Sequence, residues 1–239
     1  MTPEAAEEAI AALLELAPEG FVEAADTLVV YADEQRLHAL RDRFPLLQAE
    51  AVRPGWEEEW KRFHVPVVVG SLWVGPPWED PPRGLAPVVI DPGRAFGTGS
   101  HPTTRLCLEF LDELERGSVL DAGSGSGVLA IAAGTLGHGP VVALDRDEAA
   151  VQATRENARR NGIEVDVRRA DVLADALPAA ELVLANIDLA AVNALASRLV
   201  CRFVVTSGYY ASEAPSLAGF RHTERRTMEE WAADLFARE

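Results

Sequence analysis

SVLDAGSGSGVLAIAA, residues 118–133, decides the fold. Val119 and Leu120 open a short apolar run that ends at Asp121; glycines follow at 123, 125 and 127, and a Val/Leu/Ala/Ile stretch begins a helix directly behind them. A strand that turns into a helix this tightly needs residues free to take left-handed backbone angles. The same turn lets a ligand approach with no Cβ in the way. A dinucleotide fingerprint would put its third glycine at position 128, which is Val128. The spacing is instead G-x-G-x-G, with an acid two residues before it.

That acid selects the ligand class. A carboxylate ending the first strand repels a pyrophosphate but can hold an ammonium group, so Asp121 with Gly123, Gly125 and Gly127 favours S-adenosylmethionine over a nucleotide. The competing reading of the glycines alone is an ordinary tight strand-to-helix turn.

Outward from this stretch the pattern is regular. VVALD ends a second strand at Asp145, a helix spans Asp147–Asn161 and stops at Gly162, and strands recur near 164–169, 181–186 and 203–207, with a helix at 189–199. A helix over 103–116 precedes the glycine strand, and 220–227 with 231–237 form an antiparallel pair at the sheet edge. This βαβα alternation predicts an α/β, Rossmann-like domain with a doubly wound, mainly parallel sheet.

Upstream, six prolines in GPPWEDPPRGLAPVVIDP (75–92) read as a semi-rigid spacer. Before it, Trp56, Trp60 and Phe63 lie on one face of a helix; such a stripe packs on a core or meets a partner. The N-terminal part reads helix (Thr2 to Gly20, with Ile10, Leu13 and Leu14), strands at 21–25 and 27–32, a helix opened by Asp33 with Leu37 and Leu40, and a strand at 46–52. That order resembles a ferredoxin-like α+β domain truncated by its first strand. The expected organisation is 1–53 as a small α+β domain, 54–92 as helix and linker, and 93–239 as the large domain.

The 239 residues carry 22 basic and 38 acidic side chains, a net charge of −16. With one lysine, Lys61, among those cations, the chain is poorly equipped to neutralise phosphates; direct nucleic-acid binding is disfavoured, and a basic partner or small ligand fits. Two cysteines, Cys107 and Cys201, make no disulfide scaffold, no Cys/His cluster has metal-site spacing, and no signal-like or membrane-length apolar segment is present. The expectation is a cytoplasmic protein without a metal.

Four further positions carry chemistry. Asp145, 24 residues after Asp121 at the next strand end, can accept hydrogen bonds from both ribose hydroxyls, the alternative being a charge at the following helix N-terminus. Asp171, in RRADVLADALP, is placed either to touch an adenine amine or to cap its own loop. Asn186 ends the strand ELVLANID, where its carbonyl can accept an amine hydrogen and aim the nitrogen lone pair, or where it closes an Asx turn. In DPGRAFGTGSHPTTR, Thr103 or Thr104 can cap the next helix and face the donor carboxylate, while His101 reads as a structural loop histidine.

In order, WEEEWKRFHVP, PPW, DPGRAFGTGSHPTTRLCLEFL, VLDAGSGSGVLAIAA, VALDRD and LVLANI resemble the PrmA-type methyltransferases of large-subunit ribosomal protein eleven, over about residues 56–186. The resemblance implies a small N-terminal domain that recognises the ribosomal protein and a large domain that binds S-adenosylmethionine and methylates lysine side-chain and N-terminal amines. It also implies donor contacts at Thr104, Gly123, Asp145 and Asn186. The competing functions are a methyltransferase for another protein or small molecule, and a donor-binding pseudoenzyme or ribosome-assembly module.

Overall fold

The computed structural model describes residues 22–24, 27–29, 34–44, 48–49, 64–91 and 99–239, and the chain separates into two units, Met1–Trp56 and Glu57–Glu239. In the first, β1 (Val22–Ala24) pairs antiparallel with β2 (Thr27–Val29) and α1 (Glu34–Arg43) follows, as the sequence predicts. Residues 48–49, inside the strand expected at 46–52, form none. The rest of that stretch, 46–47 and 50–52, lies outside the described residues. The helices expected from Thr2 and at Trp56–Phe63, Asp33, and the glycine-bearing stretch 92–98 lie outside the described residues.

In the second unit β3 (Val67–Val69), β4 (Leu72–Gly75) and β5 (Ala86–Val89) form a three-stranded sheet, β3 antiparallel and β5 parallel to β4. The proline-rich stretch read as a spacer therefore holds the end of β4 and all of β5. Proline is tolerated here because β5 is an edge strand. The N–H groups of Ala86 and Ile90 bond to Ser71 and Gly75 of the neighbouring strand, so the missing donor of Pro87, one residue out of phase, faces away.

Seven further strands form the main sheet: β6 (Val119–Ala122), β7 (Val141–Asp145), β8 (Asp166–Arg169), β9 (Leu182–Asn186), β10 (Phe203–Tyr210), β11 (Phe220–Met228) and β12 (Trp231–Arg238), in the order β11-β12-β10-β9-β6-β7-β8. The strands from β6 to β10 are mutually parallel and β12 is antiparallel to both its neighbours. The C-terminal pair forms as expected, although β12 lies inside the sheet and only β11 is an edge.

Alternation along the strands divides the core between the two faces. Val119, Leu182, Leu184 and Val205 pack beneath α2 (Pro102–Glu113), α3 (Val128–Thr135) and α4 (Glu148–Asn161). Leu120, Val183, Ala185 and Val204 meet α5 (Leu189–Leu195), whose expected length is cut by a 3-10 turn at Ala196–Arg198. Every residue of α3 from Val128 to Ala133 is buried, which explains its apolar character on all sides. No helix among the described residues is long and apolar enough to cross a membrane.

Strand order reverses between β6 and β9: the chain winds from β6 to β8 on one side, then from β9 to β10 on the other. Ligands of such sheets lie outside the carboxyl ends of the strands flanking that reversal. The β10 strand bulges there, its register shifting between Ser207 and Tyr209 around Gly208.

Gly208 has φ of 100°, and a Cβ would overlap the Ile187 carbonyl; Gly219 has φ of 80° with nothing within 4 Å of a Cβ. Both Gly→Ala changes cost about 1–2 kcal/mol for the left-handed angle. Gly208→Ala adds about 1–3 kcal/mol of overpacking against backbone. Urea unfolding is expected to show the larger loss for Gly208→Ala, and equal losses would deny the clash.

Candidate functional site

The glycine loop folds back onto the end of β7. Gly123 and Ser124 both donate to the Leu144 carbonyl, at 2.8 and 3.0 Å, Gly125 donates to Asp145 Oδ2 at 2.9 Å, and Gly127 donates to the Ser124 carbonyl at 2.8 Å. Reaching those acceptors requires left-handed angles at 123, 125 and 127 (φ 85, 54 and 83°), which glycine adopts without a Cβ penalty. Four of the five N–H groups from 123 to 127 are thereby committed inside the protein. The loop does not offer the fan of amides a pyrophosphate needs, and the carboxylate at its rim is Asp145.

Asp121 is 1% exposed, and its Oδ2 accepts the Ala130 N–H at 3.0 Å. Burial pushes this carboxyl up to about 7, the Ala130 N–H opposing and the Asp145 charge adding to the rise. Asp145 is anchored at both oxygens, Oδ1 accepting from the Asp147 N–H at 3.0 Å. A carboxylate has about four acceptor sites, so two remain for hydroxyl groups.

On the other side of the strand reversal, Asn186 Nδ2 donates to Thr104 Oγ1 at 3.3 Å, joining residues 82 apart in sequence. The α2 N-cap is His101, whose Nδ1 accepts the Thr103 N–H at 3.3 Å, and not Thr103 or Thr104 as expected. Pro102 opens the helix, which puts the cap two residues before Thr103; both threonines are then inside and buried. The His101 ring meets Trp231 edge-on (centroids 4.8 Å apart), and Tyr210 stacks on the same indole at 4.7 Å.

The structure thus brings Asp121, the glycines and Asp145 together at the ends of β6 and β7, and Asn186 with Thr104 at the end of β9. Asp171 follows β8: its Oδ1 accepts the Leu173 N–H at 2.9 Å and its own N–H donates to Asp175 Oδ2 at 2.8 Å, which is loop capping. The preceding Ala170 N–H bonds to the Asp145 carbonyl at 2.9 Å, so Asp171 is next to the same edge. Sequence reasoning passed over Trp231 and Tyr210, and also Thr154, Asn157 and Asn161 of α4. The last three were detectable as polar residues recurring at i, i+3 and i+7 beside the buried Ala150, Val151 and Ala158.

The high position of Asp121 has a stability consequence. The unfolded chain loses this proton near pH 3.8 and the folded chain near 7, so the group stabilises the fold fully below about pH 4 and loses that contribution as pH rises through 7. Asp121→Asn cannot ionise and keeps an oxygen for Ala130. Its stability relative to wild type is expected to improve by about 2 kcal/mol between pH 5 and pH 8 in urea unfolding; a pH-independent difference would contradict it.

The family model described as Ribosomal protein L11 methyltransferase (PrmA) matches residues 7–236. A ribosomal protein L11 methyltransferase of Symbiobacterium thermophilum is 52% identical over 137 residues, covering 55% of this chain and 45% of its own length. One of Dictyoglomus thermophilum is 40% identical over 159 residues, covering 65% and 52%. The chain thus spans about half the length of these curated relatives. The crystal structure of a ribosomal protein L11 methylase from Lactobacillus delbrueckii subsp. bulgaricus superposes with a TM-score of 0.63 at 29% identity, over 73% of this chain and 98% of that one. The residues that build the site lie within the matched span, and the chain belongs to the ribosomal protein L11 methyltransferase family.

Proposed function

We propose that the protein is an S-adenosylmethionine-dependent N-methyltransferase whose acceptors are lysine side-chain and N-terminal amines of ribosomal protein L11. The observation that carries this reading is the Asn186–Thr104 pair beside the carboxylate-lined glycine loop. With Nδ2 directed at Thr104, the Asn186 carbonyl oxygen is the atom left to accept an amine hydrogen.

The donor fits the residues. Gly123, Gly125 and Gly127 would let it approach the backbone, Asp145 would take the ribose hydroxyls, Asp171 the adenine amine, and Thr104 at the α2 N-terminus would face its carboxylate; Asp121, buried beneath the loop, would act on its ammonium through its charge and not by the direct contact the sequence suggests. When bound, S-adenosylmethionine supplies a methyl group activated by a sulfonium. Everything else is orientation: Asn186 aims a neutral amine, and alignment of this kind is worth roughly 7–11 kcal/mol. Lysine titrates near 10.4 in water, and a desolvated site favours its neutral form. The net charge of −16 suits a basic protein substrate, in a cytoplasmic setting.

Incubation with purified L11 and methyl-labelled donor, followed by mass spectrometry, tests the reading: label is expected on L11 amines, and label confined to RNA or to other proteins would overturn it. Asp145→Ala is expected to weaken donor binding by about 1.5–3 kcal/mol in calorimetry, since hydroxyls lose a charged acceptor. Asn186→Ala is expected to lower kcat by more than it lowers donor affinity, because aiming the amine matters chiefly in the transition state. Equal losses would make Asn186 a donor-holding residue instead.

A further inference from the structure

Helix α4 turns a buried polar stripe towards two different parts of its unit. Thr154 Oγ1 donates to the Gly125 carbonyl at 3.0 Å and lies 3.1 Å from Ser124 Oγ. Asn157, 2% exposed, donates through Nδ2 to the Ser126 carbonyl at 3.0 Å and accepts the Asp91 N–H at Oδ1, also at 3.0 Å. Asn161 accepts the Val89 N–H at 2.8 Å and donates to the Val89 carbonyl at 2.7 Å, closing the free edge of β5 as a one-residue strand would.

We propose that Asn157 is a positioning residue for the methyl donor: one amide sets the Ser126 carbonyl of the glycine loop and the Asp91 N–H together, so that the loop and Asp91 share one anchor. The argument rests on peptide planarity. Fixing the Gly125 carbonyl fixes the direction of the Ser126 N–H, and fixing the Ser126 carbonyl fixes that of the Gly127 N–H. Two successive peptide planes at the α3 N-terminus are therefore aimed by Thr154 and Asn157. The α3 N-cap itself has no side-chain capping bond, since Gly127 occupies it. The loop has left-handed angles on both sides of Ser126, and besides its bonds to Leu144, Asp145 and Ser124 the α4 stripe holds the two carbonyls that flank the Ser126 backbone.

The assignment rests on the donor-binding reading above, and the test separates the two. Donor affinity is measured by calorimetry with S-adenosylmethionine, stability by urea unfolding, for wild type, Asn157→Ala, Asn157→Asp and Asn161→Ala. Asn157→Asp keeps an oxygen for the Asp91 N–H but turns an acceptor, charged when ionised, towards the Ser126 carbonyl, so it acts chiefly on the loop half of the bridge; the unfolding curves show which variants are folded before their affinities are compared. Asn161→Ala loses bonds to β5 but none to the loop.

The expected result is a tenfold or greater loss of donor affinity for both Asn157 variants, seen in turnover as a raised KM for the donor with kcat changed less. Asn161→Ala should lose stability while keeping affinity within about threefold. Wild type that fails to bind the donor would overturn the donor reading, and this assignment with it. Wild type that binds, with Asn157 variants binding as tightly or with affinity tracking stability across all variants, would overturn the assignment alone.

Discussion

The Leu144 carbonyl, accepting the N–H groups of both Gly123 and Ser124, is the contact on which the site's geometry depends. It bends the chain leaving β6 across the end of β7, and no residue with a Cβ takes the resulting φ of 85° at Gly123 without strain. Once the loop lies there, Asp145 can reach the Gly125 N–H, α3 starts where its buried face meets α2 and α4, and Asp121 is enclosed beneath it. A Cβ at Gly123 would also stand 2.5 Å from Ile187 Cγ2, so the same glycine lets the ends of β6 and β9 approach. The spacing of these two strand ends is set by that approach.

Most of the large unit was legible because its signals are local. The apolar runs at 119–122, 141–145 and 182–186 are short and bounded, α4 stops at Gly162 as read, and Asp145 and Asn186 end β7 and β9 while Asp121 stands one residue before the end of β6. What escaped reading depends on distant partners. β12 contains Asp234, a charge that argues against an interior strand; it is 1% exposed, yet it accepts the Tyr209 hydroxyl at 2.8 Å from β10 and meets His222 Nε2 at 2.7 Å from β11. Those partners lie 25 and 12 residues away, and a buried carboxylate so satisfied is tolerable where an orphan one is not.

The proline-rich stretch failed for a related reason. Six prolines in 18 residues suggest a spacer, but a strand with a side turned from its neighbour can absorb a missing donor, and the N–H that does face outward, on Val89, is taken by Asn161. Neither fact is visible until β5 lies beside α4. At the site the same division holds: Asp145 and Asn186 were legible as strand ends, whereas the His101 cap and the Trp231–Tyr210 stack required α2 and β12 to be in place.

In the proposed reaction this arrangement separates two electrostatic demands. The donor carries its positive charge throughout binding, and the carboxylates of β6 and β7 suit it. The acceptor amine must arrive without its proton, and a carboxylate at the point of transfer would raise its pKa and hold the proton on. On the Asn186 side stand an amide, held from behind by the buried Thr104 hydroxyl, and the rings of His101, Trp231 and Tyr210, the last half exposed. These groups can orient an amine and exclude water around it without stabilising ammonium as an acid would. The strand reversal between β6 and β9 puts the acids that end β6 and β7 and these rings on opposite halves of one sheet edge, and the Asp188 carboxylate, two residues past Asn186, is engaged by the Ala191 N–H at the α5 N-terminus.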